Sequence, residues 1–141
     1  MLIMKTILEI QQEILDDFEM FDDWMQKYEY LIDLGNEMSA LDQEYKIDDN
    51  LIKGCQSRVW LHAEQKNKKI FYSADSDAIM TKGIISLLIN VLSGQNADDI
   101  INTDLDFINK IGLKEQLSAT RANGLVSMIK KMKIYALGLK K

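Results

Sequence analysis

The chain predicts an α+β fold, with a small antiparallel sheet of about three strands packed against N- and C-terminal helices in a single domain over residues 1–141. Three observations predict it. Apolar residues recur at helical spacing in both the first and the last part of the sequence. Between them, residues 58–64 and 69–74 alternate apolar and polar side chains, the period of two that a half-buried strand requires. No linker, internal repeat or low-complexity stretch divides the 141 residues, a length that suits one core.

Thr6 to Phe18 sets Ile7, Leu8, Ile10, Ile14, Leu15 and Phe18 on one helical side, with acids opposite. Asp22 or Asp23 then caps a second helix. Its Trp24, Met25, Tyr28, Leu31, Ile32 and Leu34 form a broad apolar side, and Gly35 supplies the stop. These aromatics repeat with helical period and read as core rather than as a ligand cage. Residues 36–50 are polar and irregular, with one helical turn expected near Met38 to Leu41. Asp42, Glu44, Asp48 and Asp49 lack the regular spacing of a calcium loop and read as solvated acids.

The strands come next. Leu51 to Lys53 predicts a short one, Arg58 to Glu64 a second, and Lys69 to Ala74 a third. Gln65-Lys66-Asn67-Lys68 makes the hairpin loop, with Asn67 able to tolerate a left-handed backbone. One face of such a sheet needs a cover, which the helices supply. Asp75-Ser76-Asp77 reads as the capped start of a long helix, the most buried of the chain, carrying Ile79, Ile84, Ile85, Leu87, Leu88, Val91 and Leu92 and ended by Gly94. Asn96 caps a brief helix over residues 97–101, and Asp104 another over 105–111 with Gly112 as its stop. Ser118 or Thr120 opens the last helix, in which Leu125, Met128, Ile129, Met132 and Leu137 recur at helical spacing.

Cys55 is the sole cysteine, behind Gly54 and just ahead of the strand in which Val59 and Leu61 face one way and Arg58, Trp60 and His62 the other. A free cysteine is most often a small buried hydrophobe. On a turn tip beside Gln56 and Ser57, the same thiol is also positioned to meet another molecule. Both readings stand on the residues alone.

Gly54-Cys55-Gln56-Ser57-Arg58-Val59-Trp60 closely resembles the Gly-Cys-Gln-Ser-x-Val-Trp signature of the SufE family, the SufE/CsdE-like sulfur acceptors. Asp75-Ser76-Asp77-Ala78 running into Lys82-Gly83, then Thr120-Arg121-Ala122-Asn123-Gly124-Leu125, match that family in order, as does the helical segment from Trp24 to Gly35. The chain has no proline, which the family often carries before the cysteine segment and before the last helix. The resemblance implies that Cys55 takes persulfide sulfur from a SufS-like cysteine desulfurase, stimulates that enzyme, and hands the sulfur on to a downstream iron–sulfur scaffold. It implies no cofactor of the chain's own, because the desulfurase's pyridoxal phosphate cleaves the carbon–sulfur bond. It also implies a sulfurtransferase-like accessory protein that acts by transpersulfidation with its partner, not a stand-alone enzyme. The partner surface is expected around Cys55 from Gly54, Gln56, Arg58, Asp75, Asp77 and Arg121. The alternatives are a non-catalytic adaptor with an incidental cysteine and an independent thiol enzyme.

Other chemistries find little support. One Cys and one His do not make a closed zinc site. The seven glycines form no phosphate-cradling loop. His62, if the strand runs straight, sits roughly 20 Å from Cys55, too far for a Cys-His pair. The net charge is −5, with fourteen acidic and three basic side chains in residues 1–50, which argues against nucleic acid. Residues 121–141 carry six basic side chains and no acid, read as cations favoured near a helix C-terminus. No apolar run is long enough to span a bilayer and the start lacks a basic signal-peptide region, so no membrane association and a cytoplasmic location are expected.

Overall fold

The computed structural model describes residues 6–38, 41–55, 57–105, 107–113 and 117–140. Helix α1 (Ile7–Glu19) starts with a reciprocal cap. The Thr6 hydroxyl accepts from the Glu9 N–H and the Glu9 carboxylate from the Thr6 N–H, each at 3.1 Å. Ile7, Ile14 and Phe18 turn inward, whereas Leu8 is exposed. Helix α2 (Trp24–Glu37) is capped by Asp23, whose carboxylate accepts from the Gln26 N–H at 3.0 Å.

Gly35 is not the stop that the sequence predicts. It lies inside α2 and is buried against Gly83 of helix α3 (Ile79–Leu92), where a Cβ on Gly35 would come within 2.9 Å of the Gly83 nitrogen. A Cβ on Gly83 would in turn overlap the Leu31 carbonyl oxygen. The two helices thus pack backbone to backbone, with Leu31 fully buried and the Ser86 hydroxyl donating to the Leu34 carbonyl at 2.9 Å. The helical turn expected near Met38 to Leu41 falls partly outside the described residues. Two short 3-10 turns, Gln43–Tyr45 and Asp48–Asn50, follow.

Strands β1 (Val59–Lys66) and β2 (Lys69–Ser76) pair antiparallel along their whole length, from Val59 opposite Ser76 to Lys66 opposite Lys69. Their two turn residues, Asn67 and Lys68, have φ of 54° and 65°, the left-handed pair that suits a tight hairpin's twist. Val59, Leu61, Ile70, Tyr72 and Ala74 form the buried face, as the alternation predicts, and Phe71 lies on the other. The third strand is β3 (Gln95–Asn96), paired to Lys69 and Ile70 at the outer edge of β2. The predicted strand at Leu51–Lys53 contributes one bridge, Leu51 to Trp60, because the Gly54 turn carries the chain away at once.

The start of α3 also departs from expectation. Its N-cap is Ala78, with no side-chain acceptor, while Asp75 and Ser76 belong to β2. Cross-strand pairing to Val59 and Trp60 holds those two residues in the sheet, from which the Ser76 hydroxyl still accepts from the Ala78 N–H at 3.2 Å. Beyond α3, helix α4 (Ala97–Asn102) is capped by Asn96 as predicted, and α5 (Phe107–Lys110) is shorter than expected. Gly94 and Gly112 take positive φ where the sequence places stops.

The last helix, α6 (Ala119–Leu139), opens at Ser118, whose hydroxyl accepts from the Arg121 N–H at 3.3 Å. Its second half is firmly anchored. The Tyr72 hydroxyl donates to the Met132 carbonyl at 2.6 Å, and Tyr135 donates to the Asn50 side chain at 3.2 Å. The lysines do not crowd the final turn. Lys133 instead donates to the Thr103 carbonyl at 2.8 Å, and Lys140 pairs with Asp98 at 2.6 Å.

Candidate functional site

The segment carrying the thiol is closed at its base. The Ile52 N–H donates to the Val59 carbonyl at 2.8 Å, next to the Leu51–Trp60 bridge. Between these points the chain reverses at Gly54, whose φ of +93° lies where L side chains rarely sit. Gly54 also packs on α6, since a Cβ there would come within 2.6 Å of the Ser127 Oγ. The turn delivers Cys55 to the first half of α6, where its Sγ donates to the Gly124 carbonyl at 3.7 Å. Gly124 is buried inside the helix, and a Cβ on it would stand 3.3 Å from that sulfur.

Cys55 is half-buried, and burial pushes its thiol above the ordinary value. At neutral pH the resting group is therefore the protonated thiol, a weak donor and a poor nucleophile. Beside it lies a cavity of about 10 Å³, room for one water-sized group, lined also by Ser57, Thr81, Ile84, Thr120, Arg121 and Met128.

Of the residues the sequence singles out, Cys55 and Arg121 meet at this cavity. Arg58 and Asp77 meet each other nearby. The Asp77 carboxylate accepts from the Arg58 N–H at 3.0 Å, and the Arg58 carbonyl accepts from the Asp77 N–H at 3.3 Å and from the Ser76 hydroxyl at 2.8 Å. That reciprocal clasp fixes the strand start directly after the thiol turn. Both Arg58 and Asp77 are exposed. Asp75 is differently placed. Its carboxylate pairs with Lys46 at 2.7 Å and Lys82 at 3.5 Å and is largely covered. Partial burial would raise its pKa, but hydrogen bonds from Lys46 and the Ser76 N–H, with the Lys46 and Lys82 charges, hold it below the usual carboxylate value. Gln56 lies outside the described residues.

Thr81, Ile84 and Met128 line the cavity without having been singled out for the site, because a helical apolar stripe reads as core. Gly124 and Ser127 are further contacts of the thiol turn. The available signal was a glycine in the middle of a helical pattern, which usually has a packing reason. His62 does not line the cavity; it stacks on Tyr45, with ring centroids 3.7 Å apart. Among the described residues no three His, Cys, Asp or Glu side chains cluster as a metal site, and no helix is long and apolar enough to cross a membrane.

Chemically, among the described residues, the arrangement offers one thiol, no general base in the cavity lining, and one guanidinium within it. Such a group suits exchange with a sulfur already activated on another molecule, where a thiolate attacks and a thiolate leaves.

The profile of the family described as "SufE: Fe-S metabolism associated domain" matches residues 12–136. The chain is 37% identical over 131 residues to an uncharacterized SufE-like protein of Rhizobium meliloti, covering 89% of this chain and 94% of that one. It is 39% identical over 131 residues to SufE-like protein 1, chloroplastic/mitochondrial, of Arabidopsis thaliana, covering 91% of this chain and 35% of the larger plant protein. The solution structure of a hypothetical protein from Thermus thermophilus superposes with a TM-score of 0.77 at 16% identity, over 92% of this chain and 95% of that one. The last likeness concerns the fold.

Proposed function

The chain belongs to the SufE family, whose domain is associated with Fe–S metabolism, and on that premise we propose that it accepts sulfur on Cys55 from a cysteine desulfurase and passes it towards iron–sulfur cluster assembly. Cys55 first loses its proton to solvent or to a group of the partner. The thiolate then attacks the outer sulfur of the partner's persulfide. A bond forms between Sγ and that sulfur, the partner's S–S bond breaks, and its electron pair leaves with the inner sulfur as a thiolate. No net oxidation occurs. Pyridoxal phosphate serves carbon–sulfur cleavage in the partner, and this chain supplies the accepting thiol and the surface that presents it.

One observation carries the reading: the only cysteine sits half-buried on a glycine turn and lines a cavity large enough for one small group, with Arg121 in its wall. A partner docking there meets Gly54 and Arg58 on the turn side, Asp77 on the clasp, and Arg121 on α6, with Gln56 and Asp75 as the remaining members of the proposed surface. Desulfurase docking draws the thiol out of its protonated resting place, so the chain alone is a slow nucleophile. A lone thiol carrying labile sulfur suits a reducing compartment, and the cytoplasm is the proposed location.

The test is intact mass after incubation with a cysteine desulfurase and free cysteine. The native chain gains one sulfur atom, removed by reductant, and stimulates sulfide release. Cys55→Ser gains none and does not stimulate. If Cys55→Ser stimulates the desulfurase as well as the native chain does, the carrier reading fails and the adaptor reading replaces it.

A further inference from the structure

We infer that Gly124 is a positioning residue for Cys55: its bare Cα and its carbonyl form a notch on α6 that holds the sulfur while it bears a proton, and lets it go when it does not. Its use in sulfur transfer rests on the carrier reading above, whereas the notch itself does not.

The notch has two parts. The first is space. Gly124 is buried within a helix, where glycine weakens the element relative to alanine, so its presence needs a packing reason. The reason is the thiol: a Cβ on Gly124 would stand 3.3 Å from Sγ, tighter than side chains ordinarily pack, with the Cys55 Cα in ordinary contact at 3.6 Å. The second part is the carbonyl oxygen at 3.7 Å. A helical carbonyl has two lone pairs, and the helix ladder uses one, which leaves an acceptor for the S–H. One turn further on, Ser127 abuts Gly54, so two successive turns of α6 receive the base and the tip of the same loop.

The contact depends on the hydrogen. A thiolate has nothing to donate and would face the negative end of a peptide dipole. The inner sulfur of a persulfide bears no hydrogen either. Arg121 is the only charged group lining the cavity among the described residues, one turn before Gly124 on α6. The remaining lining groups on the loop, α3 and α6 (Ser57, Thr81, Ile84, Thr120 and Met128) are uncharged. An anionic sulfur is therefore drawn from the carbonyl towards Arg121. The unloaded carrier rests closed; deprotonation or loading opens it.

Alkylation of Cys55 by iodoacetamide reads this directly, because it is the only thiol and no partner is needed. Rates are followed from about pH 6 to about pH 10, spanning the ordinary cysteine value. The native chain should react slowly, with a midpoint above that value. Gly124→Ala should react roughly tenfold faster near neutral pH, with its midpoint moved down towards it, while circular dichroism shows the helix intact. Equal rates and equal midpoints in two folded proteins would overturn the notch. A second comparison isolates the hydrogen. Cys55→Ser keeps a donor, and Cys55→Ala stands in for any state without one. Tryptic cleavage after exposed Lys53 should be several-fold faster in Cys55→Ala than in Cys55→Ser. Equal cleavage would remove the dependence on the proton. Failure of sulfur transfer with both readouts as expected would count against the carrier reading alone.

Discussion

Two close approaches in this molecule are made by the absence of a side chain, and they behave differently. Between α2 and α3, Gly35 and Gly83 bring backbone against backbone, so the atoms that a Cβ would strike cannot turn away. Between the thiol turn and α6, Gly124 faces the Sγ and Cα of a residue on a turn, whose sulfur reaches the helix through a weak hydrogen bond of 3.7 Å. The first approach is braced by the fully buried Leu31 and the Ser86–Leu34 hydrogen bond. The second borders solvent. The same residue type thus makes a fixed joint in the core and a yielding one at the site. What decides between them is the stiffness of the opposite wall, not the glycine.

The largest effect should come from testing the fixed joint. Gly83→Ala forces α2 away from α3 and is expected to lower stability by about 3 kcal/mol, at the upper end of core overpacking. That corresponds to a fall in Tm of roughly 6–12 °C for a chain of this size. Thermal unfolding measures it; a shift within 1–2 °C, of the size expected for surface changes (roughly ±0.5 kcal/mol), would make this joint as yielding as the thiol's and dissolve the contrast. The alanine change at Gly124 should leave Tm much nearer to native and show itself in thiol reactivity.

Next in size is the ion triad of Asp75 with Lys46 and Lys82. Asp75→Asn should cost about 2 kcal/mol at neutral pH, the usual range for hydrogen bonds to a charged group. The native carboxyl titrates below its unfolded value, so its contribution is fully present above the unfolded value and is lost as pH falls through the folded one. The difference in Tm between native and Asp75→Asn should accordingly be full at pH 7 and vanish in acid. A difference constant across that range would mean that the charge of Asp75 contributes nothing.

The smallest stability change belongs to Arg121→Ala. Its N–H still reaches Ser118, so the helix start survives and stability should move by less than about 0.5 kcal/mol. Desulfurase association should instead slow and lose part of its salt dependence, as for a charge at an interface rim. An unchanged association rate at low salt would take Arg121 out of the docking surface.

How much of this could be read from the sequence follows from the range of each interaction. The β1–β2 hairpin, the buried side of α3 and the Ser118 cap rest on neighbours within a few residues, and patterning exposes them. Strand β3 has two residues and carries no period to detect. Gly35 was misread because a glycine that ends a helix and one that admits another helix look alike along the chain. Asp75-Ser76-Asp77 before an apolar run has the composition of a cap, yet β1 recruits its first two residues across the sheet. At the site, the thiol stood out as the only one, and Arg121 stood out by its motif. That Gly124 receives the sulfur could not be read locally, because the partners are 69 residues apart.

That separation sets an order in time. A chain made from its N-terminus completes Cys55 and the hairpin well before Gly124 and the rest of α6 exist. The nucleophile is thus born without its cover, and a growing chain exposes an ordinary thiol until the last helix docks through Met132, Lys133 and Tyr135. Only a chain that has docked α6 can withhold its sulfur, so control over reactivity arrives after the hairpin and its thiol are in place.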